Sequence, residues 1–432
     1  MDTRILWVWI SLKFVPGTMK IPYLLDEFGG VEEIYNEEKY IYSSYLTLDE
    51  RKKLADKSLE EAYDICKRAE KANVKILVYD DENYPESLRQ LDNPPYVLYV
   101  KGKVIDWDSY VLISVIGTRQ CTDYGVKATR KIAGELAEKG IVIVSGLARG
   151  LDSVATIEAL KHNCYSVGVL GCAIDRVYPP ENKALFDAVE KTGILISEFP
   201  PGGYTNKKSF VTRNRIIAGL SRGLLVTEAP LKSGTQITVG YAYDYNRDVF
   251  AVPGSIFEVN SAGTNKLLQG SAKAVMCAQD IIEDYPDINS KLRAPMGNIF
   301  IKELPELEGI VERGIVEIVR QKKYDFNGNK EALYKKNSIR PKQTRVIKEE
   351  KDEPEEKPKE DKETLNELLN KYEDKERMIL MSLLGGERPK DEIIRETGID
   401  AGYVNTTLVM MEMQGIVKQI PGNIYKLVIE KS

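Results

Sequence analysis

Between about residue 84 and residue 285, short apolar runs alternate with stretches of helical spacing. The runs are Val111–Ile116, Ile141–Val144, Ser166–Leu170, Gly193–Ser197, Gly223–Thr227 and Asp248–Ala251. Such alternation predicts a doubly wound, Rossmann-like parallel sheet with helices on both faces. Residues 1–80 carry apolar positions at helical spacing, with breaks at Pro16-Gly17 and Gly29-Gly30 and a charged helix from Ser58 to Ala72. Here WISLKFVPGTMKIPYLLDEFGG sets a Pro-Gly turn between two short helices, a pattern of the SAM or helix–hairpin–helix type. After the sheet region, VIKEEKDEPEEKPKEDKE is charged, proline-bearing and poor in apolar residues, so it reads as an extended linker. The tail recovers a compact pattern. Asp374–Leu384, KDEIIRETGI and Ala401–Met413 read as helices, and GIVKQIPGNIYKLVI as a hairpin turning at Pro421-Gly422-Asn423. Three helices and a hairpin predict a winged helix. The expected division is therefore a helical domain over 1–80, a sheet domain over 81–288, a partly disordered linker over 289–365 and a winged helix over 366–432. Ile301–Arg320 has helical spacing but no assigned role.

Ligands of open α/β sheets bind beyond the carboxyl ends of the strands, and the Gly/Ser/Thr loops of this chain fall at those ends. VIGTRQCTDYG places Arg119 after the first run, with Thr122 or Asp123 positioned to cap the next helix. In SGLARGLD, Gly146 and Gly150 allow close backbone approach and Arg149 adds charge. GCAIDRVYPPEN and SEFPPGG follow. Arg213 and Arg215 flank Asn214 in SFVTRNRIIAGLS, just after Lys208 and Phe210. EAPLKSGTQIT sets Ser233, Gly234 and Thr235 as an anion cup beside Lys232. RDVFAVPGS and GTNKLLQGSA close the series. Several amide-rich loops on one sheet rim suit a ligand with more than one phosphate, a nucleotide or a nucleic-acid backbone. Phe210, Tyr178 and Tyr124 lie in or beside the loops as candidate stacking surfaces, with core packing the competing use.

Composition narrows the picture only a little. Over 432 residues the net charge is −5, yet Lys101–Tyr285 holds 21 Lys and Arg against 19 Asp and Glu, so the acidity lies outside the loop-bearing segment. Five cysteines without a CxxC pair argue against a disulfide framework and fit a reducing cytoplasm. The apolar start Ile5–Ile10 is too short to span a membrane. His162, flanked by Lys161 and Asn163, reads as a surface position, and no metal-ligand spacing stands out. The third tail helix contains neither Lys nor Arg, which favours protein docking over duplex reading and weakens a third possibility, a duplex-binding regulator acting through the tail.

Taken in order, the loop motifs resemble the DprA/Smf family, the DNA-processing protein A of bacteria. The resemblance is strong from Tyr84 to about Asp284, and the helical front and winged tail suit the family's larger members. It implies single-stranded DNA bound on the Rossmann-like domain, homodimerisation through that domain and delivery of the strand to the RecA recombinase during natural transformation. It also carries DNA contacts onto Arg119, Gly146, Arg149, Gly150, Arg213, Asn214, Arg215, Gly234 and Thr235. Thr156 stands where relatives usually have His, and FVTRNR replaces FPxRNR. The rival reading is a lysine-decarboxylase-like Rossmann enzyme that cleaves nucleoside monophosphates. Its GGxGTxxE signature needs a carboxylate where this chain has Thr238, and GxxxxGK[ST] is missing, so neither acid–base cleavage nor ATP hydrolysis is expected. Glu198 and Glu228 could substitute, although loop positioning suits Glu228 better, and Asp152 and Asp175 read as helix or loop caps. The expectation is a DNA-binding protein with no catalytic residue, cofactor or metal.

Overall fold

A computed structural model describes residues 2–38, 45–285 and 287, and in the tail residues 372, 374–413, 416–420 and 424–427. The expected linker, the stretch Ile301–Arg320 and the hairpin turn Pro421–Asn423 lie outside the described residues. The chain divides into two compact units, Met1–Glu317 and Ile318–Ser432.

The first unit begins with five helices: α1 Thr3–Lys13, α2 Lys20–Phe28, α3 Val31–Asn36, α4 Leu48–Ala55 and α5 Glu60–Lys71. In α1 every residue from Ile5 to Ile10 is buried. A helix apolar all round is one surrounded by its neighbours. Its tryptophans keep their polar ends satisfied, Trp7 Nε1 donating to Asp80 Oδ2 (2.6 Å) and Trp9 Nε1 to the Asp56 carbonyl (3.1 Å).

Next come β1 Lys75–Val78, α6 Glu86–Arg89, β2 Val97–Gly102, β3 Leu112–Ile116, α7 Asp123–Glu138, β4 Val142–Ser145, α8 Leu151–Lys161 and β5 Ser166–Leu170. They are followed by α9 Lys183–Thr192, β6 Ile194–Ser197, α10 Lys207–Leu220, β7 Gly223–Val226, α11 Thr235–Asp244, β8 Asp248–Ala251, α12 Ala262–Leu268, β9 Lys273–Ala274 and α13 Gln279–Ile282. The nine strands form one sheet in the order β1-β2-β6-β5-β4-β3-β7-β8-β9. From β6 to β9 all neighbours are parallel, as the alternation predicts. β1 and β2 were not among the expected strands. They add an antiparallel edge, β1 to β2 and β2 to β6. Apolar cores fill both faces of the sheet, and a third cluster joins α1 residues such as Trp7 to Tyr96, Leu151 and Leu185, so the helical front packs onto the sheet.

The second unit contains α14 Asp374–Ser382, β10 Arg388–Pro389, α15 Lys390–Thr397, α16 Ala401–Met413, β11 Val417–Ile420 and β12 Ile424–Leu427. Its strands pair in the order β10-β12-β11. Ile379, Leu380, Ile393, Val404, Leu408 and Tyr425 form its core. This is a winged helix, with β10 as a third strand the sequence reading did not include.

Candidate nucleic-acid interface

The chain winds outward from β3 through β4, β5 and β6, then crosses back to place β7 on the other side of β3. The crevice at such a switch point, beyond the strand carboxyl ends, is where open α/β sheets hold ligands. Here it lies between the loop after β3, which carries Arg119, and the loop after β7, which runs to Gly234. Glu228 ties these two loops together. Its carboxylate accepts bonds from the Thr122 amide (2.9 Å) and hydroxyl (2.6 Å), and its carbonyl accepts from the Thr118 amide (2.8 Å). Thr122 also caps α7 by accepting from the Gly125 amide (3.1 Å). Burial raises the Glu228 carboxyl, with the bonds from Thr122 pulling the other way. Thus Glu228 acts as a loop clamp, and Thr238, at the position where the rival enzyme needs its acid, is buried in α11.

The loop after β4 is closed from within. Asp152, buried at the start of α8, accepts from the Gly146 amide (3.2 Å). A side-chain carboxylate therefore takes the Gly146 amide that the sequence offered to a phosphate. Burial pushes the Asp152 carboxyl upward, while Arg213 and then Arg119 pull it down. Gly146 is glycine because a Cβ there would stand 2.7 Å from Asp152 Oδ2 and 2.9 Å from Arg213 Nη2. Gly150 has φ +79°, and a Cβ on it would meet the Thr118 carbonyl at 2.3 Å. Both glycines serve close packing, and the β3 and β4 loops touch as a result.

The start of α10 is not laid out as its charges suggest. Asn206 caps it with a capping box, accepting from the Lys208 and Ser209 amides, and Lys208 is exposed. Phe210 is half-buried against Tyr178, with ring centroids 4.8 Å apart. Arg213 and Arg215, expected as phosphate contacts, point inward. Arg213 Nη1 donates to the Gly146 and Val169 carbonyls, and its Nε donates to Asn214 Oδ1 (3.2 Å). Burial lowers the Arg213 pKa to about 10 despite the Asp152 carboxylate beside it. Arg215 is 0% exposed and pairs with Glu198 at 2.5 Å. The cause is local geometry: Ile216, Ile217 and Leu220 bury one face of α10, and the flanking positions are covered as well.

The loop at 232–235 remains open. Ser233, Gly234 and Thr235 form the N-terminal edge of α11; the Gln236 and Ile237 amides donate to the Ser233 and Gly234 carbonyls (3.2 Å each), which leaves the amides of 233–235 to face an anion. Gly234 has φ −60°, which any residue adopts, and a Cβ there would meet nothing within 4 Å. Neither backbone nor packing requires glycine, so the missing side chain leaves space. The Ser233 hydroxyl is buried without a hydrogen-bond partner, and Lys232 is exposed beside it.

On the loops at the carboxyl ends of the strands Arg119, Arg149, Arg176, Lys207, Lys208 and Lys232 are exposed. Arg149 pairs with Glu181 at the surface. Sequence reasoning passed over Arg176 and Lys207. Their positions in the loop after β5 and at the first turn of α10 would have been sufficient signal. Asp175 holds a loop, accepting from the Gly202 amide at 3.0 Å. His162 is half-buried and lies 3.4 Å from Glu138. Among the described residues no cluster of His, Cys, Asp and Glu could hold a metal, and no helix is long and apolar enough to cross a membrane.

These features define a class: a doubly wound α/β protein followed by a winged helix, with cations gathered at the switch-point rim. Residues 75–286 match the family described as DNA recombination-mediator protein A, and residues 353–423 match the DprA winged helix domain. The chain is 34% identical to Protein Smf of Synechocystis over 358 residues, which is 82% of this chain and 80% of that one. It is 38% identical to the DNA processing protein DprA of Bacillus subtilis over 222 residues, 51% of this chain and 75% of the relative. The crystal structure of DprA from Streptococcus pneumoniae aligns at TM-score 0.49 and 32% identity, covering 62% of this chain and 99% of that one. The chain belongs to the DprA/Smf family.

Proposed function

We propose that this protein is a recombination mediator that binds single-stranded DNA along the carboxyl rim of its sheet and leaves the strand intact. The observation that carries the reading is the sorting of charge. Six exposed cations lie on the loops at the carboxyl rim, while Asp152, Glu198 and Glu228 are turned inward and held by protein donors; of the exposed carboxylates on these loops, Glu181 pairs with Arg149 and Asp175 accepts from the Gly202 amide. Backbone amides at Ser233–Thr235, with Lys232, would take one phosphate. Arg119, Arg149 and Lys208 would take neighbouring ones, and Phe210 with Tyr178 would stack a base. Arg213, Asn214 and Arg215 then act by positioning. Arg213 holds the Gly146 loop, and Arg215 holds the loop of Glu198. Gly146 and Gly150 contribute by bringing the β3 and β4 loops together.

Family membership supports the remaining parts of the proposal. These are a homodimer through the sheet domain, so that one strand can span two sites, delivery of the strand to the RecA recombinase in transformation, and a cytoplasmic location. The cleavage alternative is not favoured, because Thr238 is not an acid, Glu228 is engaged by Thr122, and Glu198 is buried against Arg215.

Titration of the protein with oligo-dT over a salt series tests the binding. Each phosphate contact removed should lower the salt slope by about 0.7 for a single strand. Arg119→Ala with Lys208→Ala should therefore lower it by about 1.4. Unchanged affinity and slope, or release of bases from nucleoside monophosphates, would overturn the reading.

A further inference from the structure

Tyr204 is 85% exposed, more than any other large apolar or aromatic side chain among the described residues. It is not on a loose loop. On one side, both carboxylate oxygens of Asp175 accept from the Gly202 amide at 3.0 Å, and the Gly203 amide donates to the Pro200 carbonyl at 2.9 Å. Arg68 of α5, in the helical front, donates to the Pro201 carbonyl and is itself held by Asp64 at 2.8 Å. On the other side, the Asn206 capping box fixes the start of α10. An aromatic ring is thus held out in water by backbone that is already ordered.

The surroundings say what it would receive. Arg176 follows the bracing Asp175, and Lys207 and Lys208 lie three and four residues beyond the ring; all three are exposed. The first turn of α10 has no acidic residue. The Tyr178–Phe210 pair sits on the same two segments, the loop after β5 and the first turn of α10. A polyanion with flat apolar groups along it, an unpaired nucleic-acid strand, satisfies both the cations and the rings. A protein partner would need a broader apolar patch than one tyrosine among cations supplies.

We infer that Tyr204 is a second stacking platform, which carries the bound strand past the Tyr178–Phe210 pair and over the loop between β6 and α10. This deepens the single-strand reading and rests on it. It also gives the helical front a part in binding, because Arg68 braces the platform from α5. Pre-ordering matters here, since little entropy is lost when the base arrives.

The test uses the full chain and a length series of labelled oligo-dT, read by anisotropy. Tyr204→Ala should weaken binding of the longer oligonucleotides by about tenfold, within the range for loss of one stacked base, and leave the shortest bound ones unchanged. Tyr204→Phe should restore wild-type affinity. Arg68→Ala should weaken the longer oligonucleotides in the same way but less. In Tyr204→Trp the introduced indole is exposed, whereas native Trp7, Trp9 and Trp107 are buried, so quenching of exposed indole emission should accompany binding. If wild type binds oligo-dT while Tyr204→Ala matches it at every length and Tyr204→Trp shows no quenching, the platform is wrong and the rim site stands. If wild type binds no oligonucleotide, the rim reading falls and takes the platform with it.

Discussion

Arg215→Met removes the guanidinium that faces Glu198 at 2.5 Å, in a pair whose side chains are 1% and 10% exposed. The pair is imperfectly satisfied even when intact. Arg215 Nε and Nη1 and Glu198 Oε2 are buried without hydrogen-bond partners, and burial raises the Glu198 carboxyl against the pull of Arg215. Breaking one side of such a pair costs about 3–5 kcal/mol, because it strands the other charge out of water. Against a total stability of about 5–15 kcal/mol, that is a large share. Replacing both partners by apolar groups, as in Arg215→Met with Glu198→Leu, should bring stability back to within about 1–2 kcal/mol of wild type or above it, since the desolvation cost disappears with the charges. The losses from the two single variants must therefore fail to add. Urea denaturation followed by tryptophan emission reports on this unit alone, because the chain's three tryptophans, Trp7, Trp9 and Trp107, all lie in it. The same variants separate positioning from contact. At concentrations where Arg215→Met is folded, its salt slope with oligo-dT should equal that of wild type. A normal urea midpoint combined with a flattened slope would refute the argument, because the guanidinium would then be meeting phosphate.

Two further outcomes follow from the same geometry. Gly234→Asp places a carboxylate at a helix start where φ −60° suits any residue and the space around the Cβ is open. Its thermal midpoint should stay close to wild type while oligo-dT affinity falls by at least about tenfold, since a carboxylate at the helix N-terminus would repel phosphate there; unchanged affinity would remove this cup from the strand's path. Burial raises the Glu228 carboxyl, so the group contributes stability that is complete below its unfolded value and is lost as pH climbs through the folded one. Glu228→Gln should consequently gain on wild type in urea midpoint as pH rises above the ordinary glutamate range, whereas a gap that stays constant with pH would contradict the assignment.

Much of the architecture was legible because burial is written into periodicity. Ser166–Leu170 and Asp248–Ala251 are strands at the bounds the apolar runs predict, and Ala401–Met413 is a helix likewise. The sheet's first edge was less visible. KILV of β1 follows directly on a helical pattern, and β2 lies just beyond Pro94-Pro95, so neither stood out as a run between turn signals. For the candidate site, the sequence offered residues but not their surroundings. A sequence shows that Arg213 and Arg215 are charged near a loop, and charge near a loop suggests solvent. It does not show that both sides of α10 are covered, one by the sheet and the other by Glu198 and the helical front. Only tertiary approach decides that.

The case of Asp152 goes further. Two glycines and an arginine after a strand suggest a phosphate loop, yet a carboxylate from the following helix reaches the Gly146 amide first. Gly146 and Gly234 look alike in sequence and differ in what fills the space beside them: Asp152 and Arg213 in the first case, nothing within 4 Å in the second. An amide cup is available to an anion only when no internal carboxylate has taken it. By that criterion the phosphate site we propose falls at the start of α11, and the loop after β4 serves as support for the β3 loop, the Leu151 amide donating to the Thr118 carbonyl (3.3 Å).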